Sequence, residues 1–252
     1  MNLIVIDIGN SNIKIGLFSG SRLLRTGSIP SLSARAKTIR LLTAKIVGEN
    51  RIAGSCISSV VPKLTYLAEK SVEELFSVHP LVVRGDMQMR RKNRYTFPAR
   101  LGADRLCAAA GAFALYGGPT IVVDFGTATT YNVIDKHGNF LGGVISPGVN
   151  TIASALPRVT AQLPEISFRV PSKTISRDTI TSLQAGTSAM AIDAFEGMIL
   201  RLRTEFGVRM KVVATGGYAA LMAKHTGLIS RVEKNLVLIG GKELWWEGSS
   251  RR

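Results

Sequence analysis

Asp7 and Asp124 each close a run of β-branched residues, and each is followed two positions later by glycine. The first stretch is Leu3–Phe18, LIVIDIGNSNIKIGLF: an apolar strand, an acid, a turn over Gly9–Asn12 and a second alternating strand. The second is Ile121–Val133, IVVDFGTATTYNV, which aligns Asp124 with Asp7 and Gly126 with Gly9. An acid at the carboxyl end of a buried strand, beside a glycine turn, suits phosphate chemistry. Glycine lets the backbone approach an oxyanion with no Cβ in the way, and successive N–H groups in such a turn cradle phosphate oxygens. The carboxylate itself repels phosphate and would act through a hydrated cation. One turn of this kind is equally a local hydrogen-bonding device, whereas a matched pair points to two related lobes facing a shared cleft.

Two more groups belong with these. Asp104 lies in Gly102–Arg105, GADR, in the first turn of an Ala-rich helix. A carboxylate is electrostatically favoured there, which makes Asp104 the candidate base, with Arg105 available for an anionic substrate group. The alternative is a surface carboxylate with an ion-pair partner. Thr215–Gly217, TGG, follows an apolar strand and either seats an adenosine or only turns the chain. No GxxxxGK[ST] and no strand-linked GxGxxG occurs, so neither a Walker loop nor a dinucleotide fingerprint is present.

The elements that must position these residues follow from patterning. After the first hairpin, Arg22–Ile29 reads as a strand. Ser31–Glu49 reads as an amphipathic helix with Ser31 or Ser33 as N-cap and Leu32, Ala36, Ile39, Leu42 and Ile46 on one face. Arg51–Ser58 is a strand, Pro62–Phe76 a helix and Leu81–Val83 a short buried strand. This order fits one lobe of a ribonuclease H type α/β fold. Arg84–Arg100 is strongly basic, with Tyr95 and Phe97 interleaved; it is either a solvated loop or one that reaches over a site to an anionic substrate. Leu101–Tyr116 is the Ala-rich helix. Phe140–Ile145 is a strand, Ser146–Val149 leads into a helix, and Leu163–Arg177 is a connector. Asp178–Phe206 is a long helix in one or two pieces, with Gly186 and Gly197 as weak points. Met210–Ala214 is a strand, Ala219–His225 a helix, and Asn235–Trp246 a last helix or an apolar strand followed by one.

Composition sets the class. The chain has 252 residues, 46% hydrophobic and 19% charged, enough to bury a core and unlike a disordered chain. Met1 leads straight into a strand, so no leader is expected. The charge-free run Leu106–Val123 is broken by Gly117, Gly118 and Pro119 and reads as a buried helix, a turn and a buried strand rather than a membrane span. Cys56 and Cys107 have neither CxxC nor zinc spacing and read as buried thiols, which fits a cytoplasmic protein. Three histidines without HExxH argue against zinc or iron. With 32 basic residues against 17 acidic, the net charge is +15, which attracts phosphate-bearing partners. The cations are dispersed and no RNA-binding pattern stands out, so specific nucleic-acid binding is not expected.

Taken in order, DIGNSNIK at Asp7–Lys14, GADR at Gly102–Arg105, DFGTATT at Asp124–Thr130, GGVISPG at Gly142–Gly148 and TGG at Thr215–Gly217 resemble the type III pantothenate kinases, members of the acetate kinase/Hsp70/actin superfold. The resemblance covers nearly the whole chain. It implies an α/β protein of two ribonuclease H-like lobes, 1–117 and 118–252, with mixed sheets flanked by helices and an ATP cleft between them. It implies ATP-dependent phosphorylation of pantothenate, a divalent cation such as Mg2+, a monovalent cation (K+ or NH4+), and a homodimer with no membrane association. By the same resemblance, Asp7, Ile8, Gly9, Asn10, Ser11, Asn12, Ile13 and Lys14 would bind ATP phosphates, Asp7 would organise the magnesium and Thr127 would contact ATP. Asp104 would be the proton acceptor. Gly102, Ala103, Arg105 and Tyr95 would join it in the pantothenate site, Asp124 would hold the monovalent cation, and Thr179 would reach substrate from the partner subunit. Ser11 stands where Thr is commoner and keeps the hydroxyl. Two readings compete: another small-molecule kinase of the superfold, and a non-catalytic nucleotide- or nucleic-acid-binding regulator, motivated by the charge.

Overall fold

A computed structural model of the chain describes residues 1–249. The chain divides into two units. The first comprises Met1–Gly118, Ile134–Gly142 and the C-terminal segment from Asn235; the second comprises Pro119–Val133 and Gly143–Lys234.

The first unit is built on a sheet ordered β3-β2-β1-β4-β5. Its strands are β1 (Asn2–Ile8), β2 (Asn12–Ser19), β3 (Arg22–Pro30), β4 (Ile52–Ser59) and β5 (Leu81–Val82). β1 pairs antiparallel with β2 and parallel with β4, which makes it the central strand. Leu3 to Ile6 and Ile8 are all at most 1% exposed, because both faces of the sheet are covered. On one face Ile4, Ile6, Ile13, Ile15 and Ile57 pack with α1 (Ala36–Val47) and α2 (Pro62–Phe76). On the other lie α3 (Ala103–Tyr116) and the last helix of the chain, whose Gly241 faces Val5 and Cys56. A sheet covered on both sides gives near-continuous apolar strands rather than alternating ones, as Leu3–Ile6 shows.

The second sheet repeats this order with the next five strands, β10-β9-β6-β7-β8. Here β6 (Thr120–Phe125) takes the place of β1, with β7 (Ala128–Ile134) and β8 (Phe140–Pro147) following it. α4 (Val149–Ala153), α5 (Ala155–Val159) and α6 (Thr179–Phe206) come next, then β9 (Lys211–Thr215), α7 (Ala219–Met222) and β10 (Arg231–Val232). α6 seats Phe195 on the sheet, against Phe125 at 5.4 Å and Tyr131 at 6.4 Å between ring centres. The chain closes with α8 (Leu236–Ser249).

Most elements lie where patterning puts them, and the exceptions have local causes. The first helix starts at Ala36, not at Ser31. Ser31 is not its N-cap, because its hydroxyl donates to the Gly9 carbonyl at 2.6 Å and its N–H to the Ser11 carbonyl at 2.9 Å. Ser31–Ser33 is a separate 3₁₀ turn, which leaves Leu32 91% exposed rather than on the helix's apolar face. Ser33 is no cap either; its hydroxyl donates to the Pro30 carbonyl. α6 runs unbroken for 28 residues through both glycines, capped by Asp178, whose carboxylate accepts the Thr181 N–H at 2.9 Å. The Leu106–Val123 run resolves into the end of α3, a turn and β6, and among the described residues no helix is long and apolar enough to cross a membrane.

The largest difference concerns the C-terminal segment. Expected in a second lobe spanning 118–252, α8 packs against α3 in the first unit. α3 is buried through Ala112 except at Gly102's neighbour Asp104, as expected of an Ala-rich helix with partners on every side. The two helices touch backbone to backbone. A Cβ on Gly240 would lie 1.7 Å from the Cys107 carbonyl oxygen, and one on Gly111 would lie 2.4 Å from that of Leu236. Because backbone cannot yield as a side chain does, Gly240→Ala is expected to destabilise the protein by ~3 kcal/mol or more. Calorimetric unfolding would show this as a lowered Tm, and an unchanged Tm would refute the crossing.

Candidate functional site

β1 carries Asp7 to the end of the first sheet, where the backbone leaves the core and the carboxylate is half-buried. Lys14 stands directly across from it on β2. The Gly9 N–H donates to the Asn12 carbonyl at 2.9 Å, closing a tight turn that exposes Asn10, Ser11 and Asn12. Ile8 and Ile13 face each other across the ladder and are buried in the core, so they offer a ligand only their backbone. The two Ser31 hydrogen bonds clamp the turn from outside. On the parallel neighbour β4, Ser58 is in register with Asp7 and its hydroxyl donates to Asp7 Oδ1 at 3.2 Å.

Asp104 opens α3 close by. Gly102 precedes it, with Val60 beyond β4 3.8 Å from where a Gly102 Cβ would stand. That Cβ would also lie 2.6 Å from Asp104 Oδ1, so the carboxylate folds back over Gly102. Oδ1 accepts the Arg105 N–H at 2.8 Å. The N-terminal helix position and Arg105 favour the charged form, yet burial outweighs both and raises the Asp104 carboxyl above its ordinary value. Asp104 is therefore not the surface ion-pair carboxylate that remained an alternative from sequence. Val60 links the two acids' elements: its N–H donates to the Ile8 carbonyl, next to Asp7, at 3.1 Å, and its side chain lies against Gly102 at the start of α3. Cys107, one turn further along α3, is fully buried. Ala103 is buried and contributes backbone alone.

Arg105 is 5% exposed, with its guanidinium 5.7 Å from the rings of both Tyr95 and Phe140. Tyr95, the aromatic predicted for the site, thus reaches GADR through a cation–π contact. The basic Arg84–Arg100 segment is bound to the first unit rather than solvated throughout. Arg91 pairs with Glu247 and lies over Phe113 at 4.7 Å, while the Arg94 N–H donates to the Phe140 carbonyl at 2.9 Å.

In the second unit Asp124 ends β6 as Asp7 ends β1, with Thr215 in register on β9. The TGG turn closes over it: Gly216 has φ +91°, and a Cβ there would lie 2.3 Å from Asp124 Oδ1. TGG is thus part of the Asp124 site as well as a chain reversal. Thr127 is exposed in the β6–β7 turn, and its carbonyl accepts the Gly148 N–H at 3.2 Å and the Thr151 hydroxyl at 2.8 Å. Thr179 is the exposed first residue of α6. It lines a mainly apolar groove of about 910 Å³ with Pro147, Ile152, Leu156, Leu163 and Met190. Sequence reading missed Ser58 and Phe140 and took Ser31 only as a helix cap, whereas Thr215 stood out with the TGG turn. Of the missed residues Ser58 left a signal, a hydroxyl at the end of a small-residue strand.

With this geometry in place, the comparisons with known proteins are specific. The family described as type III pantothenate kinase matches residues 3–201. The type III pantothenate kinase of Thermomicrobium roseum is 37% identical over 244 residues, covering 94% of each chain. Among solved structures, the activator of 2-hydroxyisocaproyl-CoA dehydratase from Clostridium difficile, with bound ADPNP, aligns over 100% of this chain and 96% of its own (TM-score 0.59, 14% identity). A ROK family glucokinase from Streptomyces griseus, in complex with glucose and AMPPNP, aligns over 99% and 100% (TM-score 0.52, 13% identity). At these identities the two structures show the fold alone, the actin-like arrangement of two mixed five-stranded sheets with helices.

The raised Asp104 carboxyl has a consequence for stability. The folded chain binds this proton more tightly than the unfolded one, so the contribution is present below the unfolded carboxyl value and lost as pH rises through the folded one. Carboxyl NMR is expected to find Asp104 titrating above, and Asp178 below, the ordinary range. Asp104→Asn is expected to raise Tm at neutral pH, and a lowered Tm there would contradict the desolvated charge.

Proposed function

The chain belongs to the type III pantothenate kinase family, and from that premise we propose that it transfers the γ-phosphoryl group of ATP to the primary hydroxyl of pantothenate, the first step towards coenzyme A, with Asp104 as the base. The observation that carries the residue roles is the approach, within one unit, of the Asp7 end of β1, where the Ser58 hydroxyl and the Val60 N–H are bound, to the Gly102–Asp104 start of α3.

Asp104 Oδ1 is committed to the Arg105 N–H, so Oδ2 takes the hydroxyl proton as the new P–O bond forms. Its raised affinity for a proton brings it nearer the working range of a base. The exposed Asn10–Asn12 turn, with Gly9 and the backbone of Ile8 and Ile13, offers N–H groups to the ATP phosphates, and Lys14 adds positive charge. Arg105 and Tyr95, with Gly102 and Ala103, orient pantothenate, whose carboxylate complements the guanidinium. Such catalysis is mainly positioning and electrostatics.

The donor set fits the expected cations. Among the described residues no group of three or more His, Cys, Asp or Glu side chains could hold a metal. A lone carboxylate such as Asp7 suits Mg2+, which keeps several waters and takes other oxygens from nucleotide phosphates. When bound, the divalent cation supplies charge neutralisation at the transferring oxygens. Asp124, half-buried beneath Gly216, is the corresponding residue for K+ or NH4+, and Thr127 contacts ATP. Thr179 would act from the partner subunit of a homodimer. The groove it lines is bordered by Ile175 at 89% exposure and Ile180 and Met190 at over 50%, an apolar face suited to a second copy.

ADP release is expected with ATP, Mg2+ and pantothenate together and not with other hydroxylated acceptors; release with a sugar alone would favour another kinase of the superfold. Asp104→Asn should lower kcat by ~10²–10⁴ while ATP still binds, and near-normal turnover would remove the base assignment. Asp124→Asn should abolish stimulation by K+. Met190→Glu should give monomers in light scattering, and a dimer unaffected by it would place the interface elsewhere.

A further inference from the structure

Ser58 is a buried polar residue beside Asp7 with no role in the proposed reaction so far. It is 0% exposed near the end of β4, following the buried Cys56 and Ile57. A serine there has no solvent to satisfy it, and its hydroxyl is directed at Asp7 Oδ1, 3.2 Å away. The contact follows from topology. β1 and β4 run parallel, and residues in register on neighbouring strands, ~4.8 Å apart, project to the same side. Ser58 is the residue in register with Asp7.

The second unit repeats the arrangement of types: Asp124 at the end of β6 has Thr215, 3% exposed, in register on the parallel β9. A hydroxyl residue thus flanks the strand-end acid in both sheets, where packing alone would accept alanine.

We propose that Ser58 is a positioning residue for the kinase reaction, its hydroxyl holding the Asp7 carboxylate in the orientation that receives the metal–nucleotide. The torsion that sets the plane of an aspartate carboxylate is broad and poorly fixed by its own rotamer preference, so a neighbouring donor decides which oxygen faces the site. This rests on Asp7 being the residue that organises the metal–nucleotide, and the test separates the two.

The test is calorimetric binding of a non-hydrolysable ATP analogue to the full-length protein, with Mg2+ and with EDTA, backed by Mn2+ binding followed by EPR. Ser58→Ala is expected to weaken the Mg2+–analogue complex by ~10-fold, as loss of a ligand-orienting hydrogen bond does. Metal-free nucleotide and pantothenate should bind as before. Asp7→Asn should weaken the same complex at least as much, and adding Ser58→Ala to it should cost little more, because the serine acts through the acid. Unchanged Mg2+–analogue binding in Ser58→Ala beside a loss in Asp7→Asn would overturn the serine's role and leave Asp7 standing. Unchanged binding in Asp7→Asn would overturn both. Equal losses with and without Mg2+ in Ser58→Ala would mark a structural role and overturn the proposal. Should Ser58→Ala not fold, Ser58→Cys, close in volume and a weaker donor, is expected to show an intermediate loss confined to the Mg2+ form, and wild-type binding would count against the hydroxyl.

Discussion

A strand buried on both faces can carry a charge only where it leaves the sheet, because an unpaired carboxylate in the interior costs more free energy than its neighbours return. β1 and β6 obey this limit in the same way. Val5 and Ile6, like Val122 and Val123, are 0% exposed, and the acid comes immediately after, half-buried at the sheet's end. The glycine turn then follows without delay. The covering of the first sheet is therefore what creates its site. α1 and α2 protect one face, α3 and α8 the other, and without either pair the run from Leu3 to Ile6 would lie open on one side.

That requirement explains why the chain's last helix returns to its first unit. α3 is Ala-rich and slender, and its Gly111 lies against Gly240 of α8 at backbone distance. The close approach brings α3 down onto the sheet with Asp104 at its leading end and Cys107 beneath. Two opposing influences then meet at Asp104. The helix N-terminus and Arg105 favour its charge, burial opposes it, and burial prevails. Arg105 is likewise withdrawn from solvent, its guanidinium 5.7 Å from the rings of both Tyr95 and Phe140.

The basic segment follows both of its sequence readings in part. Arg91 is held by Glu247 and Phe113, whereas Arg84, paired with Asp86, and Arg100, over Phe97, remain exposed, as do Arg90, Lys92 and Arg94. Most of its charge is therefore solvated surface. Family membership rests on sequence identity across the chain. The structural neighbours, at 13–14% identity, carry the fold and nothing finer.

The amino-acid sequence determined the local features whose causes are local. Runs of β-branched residues ending in Asp and Gly specified both hairpins, helical periodicity specified α2 to the residue, and the motif order specified the family. Asp7, Asp104 and Asp124 stood out as candidates because their types conflict with the apolar runs beside them. The tertiary structure decided what depends on residues distant in the chain. Ser31 reads as a helix cap until its hydroxyl is found on the Gly9 carbonyl. Asn235–Trp246 reads as part of a second lobe until α8 is found against α3. Ser58 reads as a strand residue until parallel register sets it beside Asp7. Register, helix crossing and burial are properties of pairs of segments, and no single segment's pattern encodes its partner.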